Sequence, residues 1–594
     1  MSIFAKITFL LNFREKIKGM ILLLMVLLGT FLEVLGIGSL LPLVTLLSRP
    51  ESIQETSYLR ELYESIHPSS INEFVILCLV AVLAIYILKN AFLFFTAYIQ
   101  GRFLYSHYFR LSSRLFRVYL LNPYSFHLKR NSSELLRNLQ AIGKVIEGVF
   151  YPLIVLITEA TVIIGLLVFL VWVDPNSAII VSVGMGIFLG LFYYIVRRKL
   201  KIWGDSSLFH TGKSIQLINE GLGSIKEIKI LHRENQFIDI YSRHIKQAAA
   251  AERVNHLISQ SPRYYIETIM TATILGTIIF LLNTGREIES IIVTVTLFAA
   301  AAARIIPSAS RCTWAMGLMR FSYPNLETVY KDFIEARNFS FPNVEILQYE
   351  SFKFKDQIKL ENISYKYEGS ESFAVENISL TIPKNYTVGF VGASGAGKTT
   401  LVDLIIGLMK PTAGQVLVDD RDIHGKVDFW QRQIGYIPQN IFLSDWTIKS
   451  NIALGIDEKS LNEELVWRAL KLAQLDKFVR DLPDGLNAMI GEHGLRLSGG
   501  QRQRIGIARA LYHDPQVLIM DEATAALDNE TERAFMSALE NFSGKKTIIL
   551  IAHRLTTVKN VDQIFFLQDS RLLSSGSYQN LKENCVEFEK MDQT

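Results

Sequence analysis

Long apolar runs occupy the first half of the chain, whereas the second half alternates short apolar segments with polar ones. Six runs are long enough to cross about 30 Å of hydrocarbon as α-helices, which satisfy their own backbone hydrogen bonds in lipid. These runs are residues 20–47, 74–99, 145–173, 177–196, 266–282 and 288–319. The pattern predicts an α-helical transmembrane domain with six spans, in which residues 174–176 form a tight turn between the third and fourth.

The N-terminus has a different pattern from the spans. Residues 2–18 place apolar side chains at helical spacing among Lys and Arg, which predicts a helix lying in the membrane interface. No short apolar core followed by a small-residue cleavage site precedes the first span. We therefore expect that span to be retained as a membrane helix.

Basic residues predict how the spans are oriented. They are concentrated in the segment between the second and third spans and in the segment that begins at Arg197-Arg198-Lys199. The positive-inside rule places both segments in the cytoplasm. Each continues the helical pattern of its neighbouring spans, so we expect helices that extend below the bilayer, with turns near residues 121–124 and 219–222 suited to docking on another domain.

Composition narrows the class of protein further. The chain has 594 residues, more than one hydrophobic core usually organises, and 49% of them are hydrophobic. A formal net charge of only +4 does not indicate a nucleic acid as partner, and the three cysteines lie at no metal-ligand or redox spacing. The predicted organisation is a transmembrane domain over residues 1–320, a linker over 321–357 and a soluble α/β domain over 358–594.

A glycine-rich loop follows a predicted strand in the second half. Residues 392–400 read Gly-Ala-Ser-Gly-Ala-Gly-Lys-Thr-Thr and match the phosphate-binding pattern G-x-x-x-x-G-K-[ST]. Glycines let backbone N–H groups converge on phosphate oxygens, the lysine adds a positive charge and the threonine hydroxyl suits Mg²⁺. The candidate nucleotide-binding residues here are Gly392, Ser394, Gly395, Gly397, Lys398, Thr399 and Thr400.

Two carboxylates follow an apolar run at residues 517–520, which predicts a buried strand. Asp521 suits the Mg²⁺ shell, together with Thr399. Glu522 stands where a general base orients and activates the attacking water in phosphoryl transfer. The combination predicts a P-loop NTPase that binds and hydrolyses ATP.

Residues 497–501, Leu-Ser-Gly-Gly-Gln, resemble the motif that defines the ABC ATPase family. The resemblance implies that Ser498, Gly500 and Gln501 contact ATP held by the loop of a partner domain. It assigns further roles one by one: adenine stacking to Tyr367, metal binding and catalysis to Gln439, nucleotide binding to Asp528, and γ-phosphate sensing to His553.

The family's arrangement has consequences for assembly. The loop and the LSGGQ motif of one domain cannot close on the same nucleotide, so two domains pair head to tail, and this chain contains one. We therefore expect a homodimer with two hydrolysing sites. Six spans ahead of one ABC domain resemble the exporter half-transporters, of the type I ABC exporter fold, over essentially the whole chain. Residues 491–494 match the exporter-specific stretch, with His493 where Arg is commoner.

Ionisable residues inside the apolar runs are the candidates for binding the cargo, because such residues are costly in a membrane. They are Lys89, Arg263, Arg304 and Arg311. Two interpretations stay open: the four form an anion-attracting lining, or each extends to an interface or pairs with Glu33, Glu159 or Glu267.

The chain also resembles the PglK-like lipid-linked oligosaccharide flippases, in the spans at residues 31–33 with 41–43, 262–267 and 304–311, and after the phosphate loop at residues 401–408. The resemblance implies that the four basic residues hold the pyrophosphate of a polyprenyl donor. Lys89 replaces an arginine there and lacks its bidentate fork. It also implies that a helix in the external segment 51–66 touches the lipid tail; a solvated cap is the alternative.

The resemblance therefore predicts an ATP-driven flippase for a polyprenyl-pyrophosphate-linked oligosaccharide. It would move the lipid from the cytoplasmic to the outer leaflet of a bacterial inner membrane, with its ABC domain in the cytoplasm, ATP and Mg²⁺ as cofactors and membrane lipids as partners. An exporter of drugs, peptides or phospholipids is the alternative. Six spans disfavour a soluble ABC factor acting on DNA or ribosomes, whereas an ATP-gated channel stays open.

Overall fold

A computed structural model describes residues 3–40, 42–43, 46, 57–68, 70–173, 175–283, 288–338, 354–522, 542–552 and 554–593. The chain divides into two compact units, Met1–Asn122 with Phe126–Pro342 and Pro123–Ser125 with Asn343–Thr594. The described part of the first unit is helical, and that of the second combines sheets with helices.

Helices of widely different length form the first unit. In chain order they are α1 (Ile3–Leu10), α2 (Phe13–Gly38), α3 (Ser57–Ile66), α4 (Ile71–Leu121), α5 (Tyr124–Lys129), α6 (Ser132–Val145), α7 (Tyr151–Val173), α8 (Pro175–Gly223), α9 (Ile225–Leu231), α10 (Glu234–Asn283), α11 (Ile288–Phe321) and α12 (Tyr323–Asn338). A single π-helical turn, Ile146–Phe150, joins α6 to α7.

Each predicted span overlaps one of these helices, although α2 ends at Gly38 and the third span also includes the π-helical turn before α7. Among the described residues, Phe13–Gly38, Ile71–Leu121 and Ser132–Trp172 are long and apolar enough to cross a membrane. The other three predicted spans lie within α8, α10 and α11, where part of the side chains is outside the described set. The helices α4, α8 and α10 have 51, 49 and 50 residues, which is far more than a span of about 20 residues requires.

Two local expectations were wrong. Residues 2–18 form two helices rather than one, because Asn12 has an extended backbone and its N–H donates to Glu15 Oε2 at 2.8 Å, which starts α2 at Phe13. The turn expected at residues 219–222 lies inside α8, and the chain breaks at Ser224 instead. The turn near residues 121–124 is present between α4 and α5.

Close helix contacts hold the first unit together. Helix α2 packs against α4 and α7, and α8 packs against α10. A Cβ at Gly148 would lie 2.0 Å from Ser322 Oγ, and one at Gly204 would lie 2.1 Å from the carbonyl oxygen of Phe321. Both glycines therefore permit helices to approach the break between α11 and α12.

Helix α12 lies in the region that the sequence predicts as a linker. It packs against α6, and its buried Asp332 accepts hydrogen bonds from Asn138 Nδ2 at 2.8 Å, from Arg130 Nη1 at 2.7 Å and from the Tyr119 hydroxyl. Lys6 of α1 pairs with Glu327 of α12. The described residues of this region up to Asn338 thus belong structurally to the helical unit.

Two sheets form the frame of the second unit. Strands β1 (Gln357–Tyr365), β2 (Val375–Pro383), β4 (Ala413–Val418) and β5 (Arg421–Asp422) make an antiparallel sheet in the order β2-β1-β4-β5. The second sheet has the order β10-β9-β3-β8-β7-β6. Its strands are β3 (Thr387–Val391), β6 (Ile434–Ile437), β7 (Val517–Asp521), β8 (Thr547–Ile551), β9 (Gln563–Gln568) and β10 (Arg571–Gly576).

All neighbours in the second sheet are parallel except β10 and β9. Its central strands are fully buried and consist almost entirely of apolar residues, as expected for strands covered on both faces. The described helices of the unit are α13 (Lys398–Ile406), α14 (Val427–Gln431), α15 (Ile448–Ile452), α16 (Glu463–Leu472), α17 (Asp476–Arg480), α18 (Gly499–Leu511), α19 (Tyr578–Asn584) and α20 (Val586–Gln593). Because the strands are parallel, the carboxyl ends of β3 and β7 meet at one edge, where open α/β sheets bind ligands.

Candidate functional site

The glycine-rich loop connects β3 to α13 at this edge of the sheet. Gly392 and Gly397 have φ of +153° and +92°, and a Cβ at these positions would lie 2.1 Å from the Leu567 carbonyl oxygen and 2.2 Å from that of Ala374. Gly395 has φ of +83°, but a Cβ there would meet nothing within 4 Å. Backbone conformation requires glycine at all three positions, and close packing requires it at the outer two.

Lys398 is buried at the start of α13 and turns back into the loop. Its Nζ donates to the carbonyl oxygens of Gly392 at 2.8 Å and Ala393 at 2.9 Å. Burial lowers the pKa of Lys398, and the negative charges of Glu522 and Asp521 act in the opposite direction. A cation held in this way lies where phosphate oxygens reach the loop, while Ser394 and Thr399 beside it are exposed.

The two carboxylates end strand β7, as the sequence predicts. Asp521 is buried and lies opposite Ile551 of β8, and Glu522 follows it with φ of +49°. Gln439 follows the end of β6, and its Nε2 donates to Glu522 Oε2 at 2.8 Å. The structure therefore brings together two of the predicted catalytic residues, and the amide of Gln439 orients the carboxylate of Glu522.

These side chains fit a magnesium ion in chemical type. Mg²⁺ in nucleotide sites takes one or two carboxylates, hydroxyl oxygens and the oxygens of the nucleotide, rather than a cage of protein ligands. Thr399, Asp521 and Gln439 supply such oxygens along the edge where β3, β7 and β6 end. Among the residues the structure describes, no cluster of three or more His, Cys, Asp or Glu side chains has metal-site geometry, and Mg²⁺ with ATP does not need one.

Tyr367 lies just after β1 and is partly exposed. Its hydroxyl is 3.1 Å from Thr400 Oγ1, and its ring makes an edge contact with Tyr365. These contacts place an aromatic ring next to the first turn of α13. The predicted adenine-stacking residue is thus adjacent to the phosphate loop.

The LSGGQ segment caps helix α18. Ser498 Oγ accepts from the Gln501 N–H at 3.2 Å, and the Ser498 N–H donates to Gln501 Oε1 at 2.8 Å, which makes a reciprocal capping box. Ser498 and Gly499 are exposed, and Gly500 is half-buried. The segment therefore presents the N-terminus of a helix, where backbone N–H groups favour an anion. Gln501 also caps the helix, a role that the sequence motif does not predict.

Three predicted positions lie outside what the structure describes. Asp528 and His553 fall in segments without description, and of His493 the structure describes the backbone but not the side chain. Their roles stay predictions.

Asp403 is a residue of this site to which the motifs assign no role. It lies on α13 within a run of buried apolar residues, and burial, followed by the charge of Asp521, raises its pKa to about 6. A carboxylate inside an otherwise apolar helix face is the signal in the sequence that marks this position.

The membrane unit holds a second charged group of residues, the charged cluster, formed by Glu33, Glu159, Arg304, Ser308 and Arg311. Arg304 of α11 donates through Nε and Nη2 to the two carboxylate oxygens of Glu33 on α2, at 2.5 and 2.9 Å. Its Nη1 lies 3.3 Å from Glu159 Oε2 on α7 and 2.7 Å from Ser308 Oγ. Arg311 Nε lies 2.5 Å from Glu159 Oε1.

Two of the four predicted cargo residues are therefore paired with carboxylates, as one of the two interpretations of the sequence anticipated. Ser308 donates to Glu159 Oε2 at 2.6 Å and lies four residues after Arg304, one turn along the same helix face. Ser308 is not among the residues predicted from the sequence, although its i, i+4 spacing from Arg304 indicates that the two side chains share a helix face.

The other two predicted cargo residues lie elsewhere. Lys89 of α4 is buried with its Nζ 4.3 Å from the centre of the Tyr86 ring, and no carboxylate oxygen of a described residue lies within 4.0 Å of it. It lines an apolar groove of about 460 Å³ between α2, α4 and α7, with Phe31, Leu35 and Phe169. Arg263 is exposed on α10, immediately after Pro262.

Comparison with known proteins agrees with both halves of the molecule. The family described as "ABC transporter" matches residues 375–525, and the family described as "ABC transporter transmembrane region" matches residues 40–301. An ATP-dependent lipid A-core flippase of Francisella tularensis subsp. tularensis is 32% identical over 475 residues, which cover 78% of this chain and 75% of the flippase. The chain belongs to the ABC transporter family.

Other relatives extend over the same length. An ATP-dependent lipid A-core flippase of Nitrosococcus oceani is 28% identical over 480 residues, covering 79% of this chain and 78% of that protein. The structure of a bacterial Atm1-family ABC exporter with ATP bound has a TM-score of 0.76 and 21% identity and covers 97% of both chains. The fold is that of an ABC exporter, with transmembrane and ATPase parts on one chain.

This transporter is therefore an exporter half-transporter that hydrolyses ATP and couples the hydrolysis to transport across a membrane. Half-transporters of this type act as dimers and move amphipathic lipids. The predicted family, fold class and ATPase activity are confirmed.

Proposed function

We propose that this exporter flips a polyprenyl-pyrophosphate-linked oligosaccharide from the cytoplasmic to the outer leaflet of a bacterial inner membrane, with its ATPase domain in the cytoplasm. The observation that carries the proposal is the charged cluster inside the membrane unit, together with Lys89 and the apolar groove beside it. A polyprenyl pyrophosphate has the two properties that such a surface recognises, a long apolar chain and a compact double anion.

The balance of charge favours an anionic cargo. Arg304, Arg311 and Lys89 face two carboxylates, so the basic side chains exceed the acidic ones among these residues. Charged side chains within membrane spans are costly and mark substrate or ion pathways. Lys89 carries the least compensated of these charges and lies against the apolar groove. A phosphate beside Lys89 would gain a charge-assisted hydrogen bond in an environment of low dielectric constant.

In this proposal the arginines of the charged cluster also exchange their carboxylate partners for the phosphate of the cargo. A phosphate that reaches Arg311 or Arg304 competes with Glu159 for guanidinium donors, because each guanidinium has five N–H groups in a fixed fork. Release of the arginine from the carboxylate then accompanies cargo binding. The ion pairs of the charged cluster would therefore differ between the transporter without cargo and the transporter with cargo bound.

The engine of the proposed flippase is a homodimer. Ser498 and Gly500 present a helix N-terminus on the exposed side of α18, which supports contact with ATP held by the loop of a second copy. In that arrangement Lys398 would bind the phosphates of ATP, Thr399, Asp521 and Gln439 would hold Mg²⁺, and Glu522 would activate the attacking water. The proposed domain limits are 1–320, 321–357 and 358–594, with α12 at the start of the middle segment packed against the helical unit.

Lipid A-core is the second candidate cargo. The flippases of Francisella tularensis and Nitrosococcus oceani, which this chain matches over about three quarters of their length, are flippases for lipid A-core. Both candidates join sugars to apolar chains. They differ in the lipid, and a direct competition distinguishes them.

Reconstitution into liposomes tests the proposal. Fluorescent polyprenyl-pyrophosphate glycan, lipid A-core and a glycolipid without a phosphate are supplied separately, and ATP-dependent transfer to the opposite leaflet is measured by access to an external modifying enzyme. The proposal predicts transfer of the pyrophosphate lipid above the other two, and none in the Glu522→Gln variant. Preferential transfer of lipid A-core favours the second candidate, and transfer of the lipid without phosphate contradicts a role for the basic residues.

A further inference from the structure

A second groove in the membrane unit lies between the cytoplasmic ends of α2 and α4. It has a volume of about 350 Å³, and basic side chains form one end of it: Lys18, Arg102 and Arg110. Ile21, Ile99 and Phe103 form its apolar walls. The lining residues of α4 follow at intervals of three and four, so they share one face of the helix.

The charges of this groove are only partly compensated. Arg110 Nη2 lies 2.7 Å from Glu15 Oε1, and Glu15 also contacts His107 Nδ1 at 2.8 Å. For Lys18 and Arg102, no carboxylate oxygen of a described residue lies within 4.0 Å. The positive charges of Lys18 and Arg102 are therefore available to bind an anion.

Its position corresponds to the headgroup level of the cytoplasmic leaflet. The apolar run of α2 begins at Met20, two residues after Lys18, and the apolar run of α4 ends at Ile99, three residues before Arg102. The apolar walls thus lie on the hydrocarbon side of the groove, and the basic residues lie on the water side. A lysine or arginine at this depth attracts the anionic lipids of that leaflet.

The groove opens toward lipid. The exposed side of α2 continues from Ile21 along Met20, Leu24 and Phe31, which are 52, 60, 62 and 58% exposed. A continuous exposed apolar stripe on a membrane helix is solvated by acyl chains. A lipid can therefore enter the groove directly from the bilayer.

The lining chemistry selects a phosphate and an acyl chain rather than a sugar. Apart from the three basic side chains, Ser106 is the one polar residue among those that line the groove, and no lining residue is an acid or an amide. Acid and amide side chains hold sugars through hydrogen bonds to the sugar hydroxyls. A phosphodiester instead needs cationic donors and a hydroxyl group. The charged cluster near Arg304 involves other residues on α2, α7 and α11.

We propose that this groove binds an anionic glycerophospholipid of the cytoplasmic leaflet, with its phosphodiester at Lys18 and Arg102 and the start of an acyl chain against Ile21, Ile99 and Phe103. The lipid is a resident ligand of the transporter, distinct from its cargo. It joins α2 to α4 at their cytoplasmic ends through contacts that neither helix makes alone. The site stands independently of which glycolipid is moved.

Binding of phosphatidylglycerol to the purified full-length transporter tests the site. The transporter is titrated with phosphatidylglycerol and, separately, with phosphatidylcholine in neutral detergent, and bound lipid is counted by native mass spectrometry. The proposal predicts one phosphatidylglycerol per protomer that binds more tightly than the rest and no equivalent phosphatidylcholine. The Lys18→Gln/Arg102→Gln variant should weaken that step by roughly fivefold for each cation removed.

A matched control separates the groove from general surface charge. Arg14→Gln/Lys16→Gln removes the same two charges from exposed positions of the same helix end, outside the groove lining. It should leave the tight step within about twofold of wild type. An equal loss in both double variants, or no preference for phosphatidylglycerol in the wild type, overturns the proposal.

A second variant distinguishes loss of the binding site from misfolding of the Lys18→Gln/Arg102→Gln protein. Ile99→Trp fills the apolar part of the groove and leaves every charge in place. It should also remove the tight phosphatidylglycerol step, with the protein still eluting as one species. If phosphatidylglycerol binds this variant as it binds wild type, the lipid lies elsewhere and the proposal is wrong.

Discussion

Lys398 in the nucleotide site and Arg304 in the membrane unit are both cations shielded from water, but their partners are very different. Lys398 bonds to carbonyl oxygens five and six residues earlier in its own loop. Arg304 bonds to carboxylates 271 and 145 residues away in the chain. The nucleotide-binding lysine is therefore fixed by local sequence, whereas the membrane arginine is fixed by the packing of three helices.

This difference explains what each region does. The hydrogen bonds that orient Lys398 lie within its own loop, so the position of this side chain does not depend on contacts in the membrane unit. The charged cluster joins α2, α7 and α11, so its geometry changes when any of these helices moves, and the proposed function assigns cargo recognition to it. The following predictions test this contrast, from the largest expected effect to the smallest.

Glu522→Gln should have the largest effect. The amide keeps the shape of the side chain and its hydrogen bond with Gln439 but removes the base that activates water. Phosphate release should fall by about 10²-fold or more while ATP still binds, since general-base catalysis typically contributes that much. Phosphate release and binding of a fluorescent ATP analogue are measured on the same preparation. Sustained hydrolysis by this variant contradicts the assigned role.

Gly397→Ala should cost more than Gly395→Ala, although both positions have positive φ. The Cβ at Gly397 would lie 2.2 Å from the Ala374 carbonyl oxygen, whereas the one at Gly395 meets open space. The first therefore adds a backbone clash to the left-handed strain of roughly 1 kcal/mol that the second also has. ATP affinity should fall more than tenfold in Gly397→Ala and about fivefold in Gly395→Ala. Equal affinities in the two variants would show that the close approach does not shape the loop.

Glu159→Gln tests the membrane side of the contrast. Glu159 contacts both Arg304 and Arg311, so its loss leaves two guanidinium groups short of a counter-charge. Breaking a fully buried pair typically costs about 3 kcal/mol, and the cost here is smaller because the Arg311 side chain is 47% exposed and Arg304 keeps its pair with Glu33. The melting temperature of the detergent-solubilised protein should fall by several degrees. Glu64→Gln is the control, because it breaks the exposed pair with Arg60 on α3, and it should have almost no effect.

Tyr367→Ala should weaken ATP binding by about three- to tenfold, because aromatic stacking on a base contributes about 1 kcal/mol or slightly more. Tyr367→Phe keeps the ring and loses only the hydroxyl contact with Thr400. It should bind ATP nearly as well as wild type. Affinity is measured by titration with a fluorescent ATP analogue. A phenylalanine variant as weak as the alanine variant would assign the effect to the hydroxyl instead of the ring.

Asp403 should give the smallest effect, visible as a dependence on pH. Burial raises the pKa of Asp403 in the fold to about 6, from 3.8 for the fully hydrated carboxyl. The protonated form is therefore favoured by folding, so its stabilising contribution is complete below about pH 4 and is lost as the pH rises through 6. Allowing for its partial exposure, the difference is on the order of 1 kcal/mol. Asp403→Asn should remove this part of the pH dependence of the melting temperature, and an unchanged profile would contradict it.

The sequence was sufficient to predict the phosphate loop, the end of β7 and the capped start of α18, because these are short segments with fixed local geometry. The loop at 392–400, the end of β7 and the start of α18 each contain their own turn chemistry, and the parallel sheet brings the first two to the same edge. The membrane cluster could not be derived in the same way. Helical periodicity indicates that Arg304 and Arg311 share a face, but which carboxylates meet them depends on how α2 and α7 pack against α11.

Local errors have equally local causes. The break at residues 11–12 depends on one capping interaction between Asn12 and Glu15 inside a segment that is amphipathic on both sides. The turn expected at residues 219–222 moved to Ser224 because the helix continues through Gly221 and Gly223 without a capping residue. The linker expected from residue 321 begins with α12, whose buried Asp332 is held by side chains from α4 and α6.

The most direct test of the central claim compares Lys89→Met with wild type in proteoliposomes, with hydrolysis and transfer measured on the same sample. Lys89 has no carboxylate of a described residue within 4.0 Å, so its replacement leaves no described partner uncompensated. If cargo recognition lies in the membrane unit and ATP chemistry lies in the nucleotide site, ATP-dependent transfer of polyprenyl-pyrophosphate glycan falls about tenfold or more, corresponding to one lost charge-assisted contact. Hydrolysis without added glycolipid then changes far less than transfer. Unchanged transfer, or an equal loss of transfer and hydrolysis, would contradict the account.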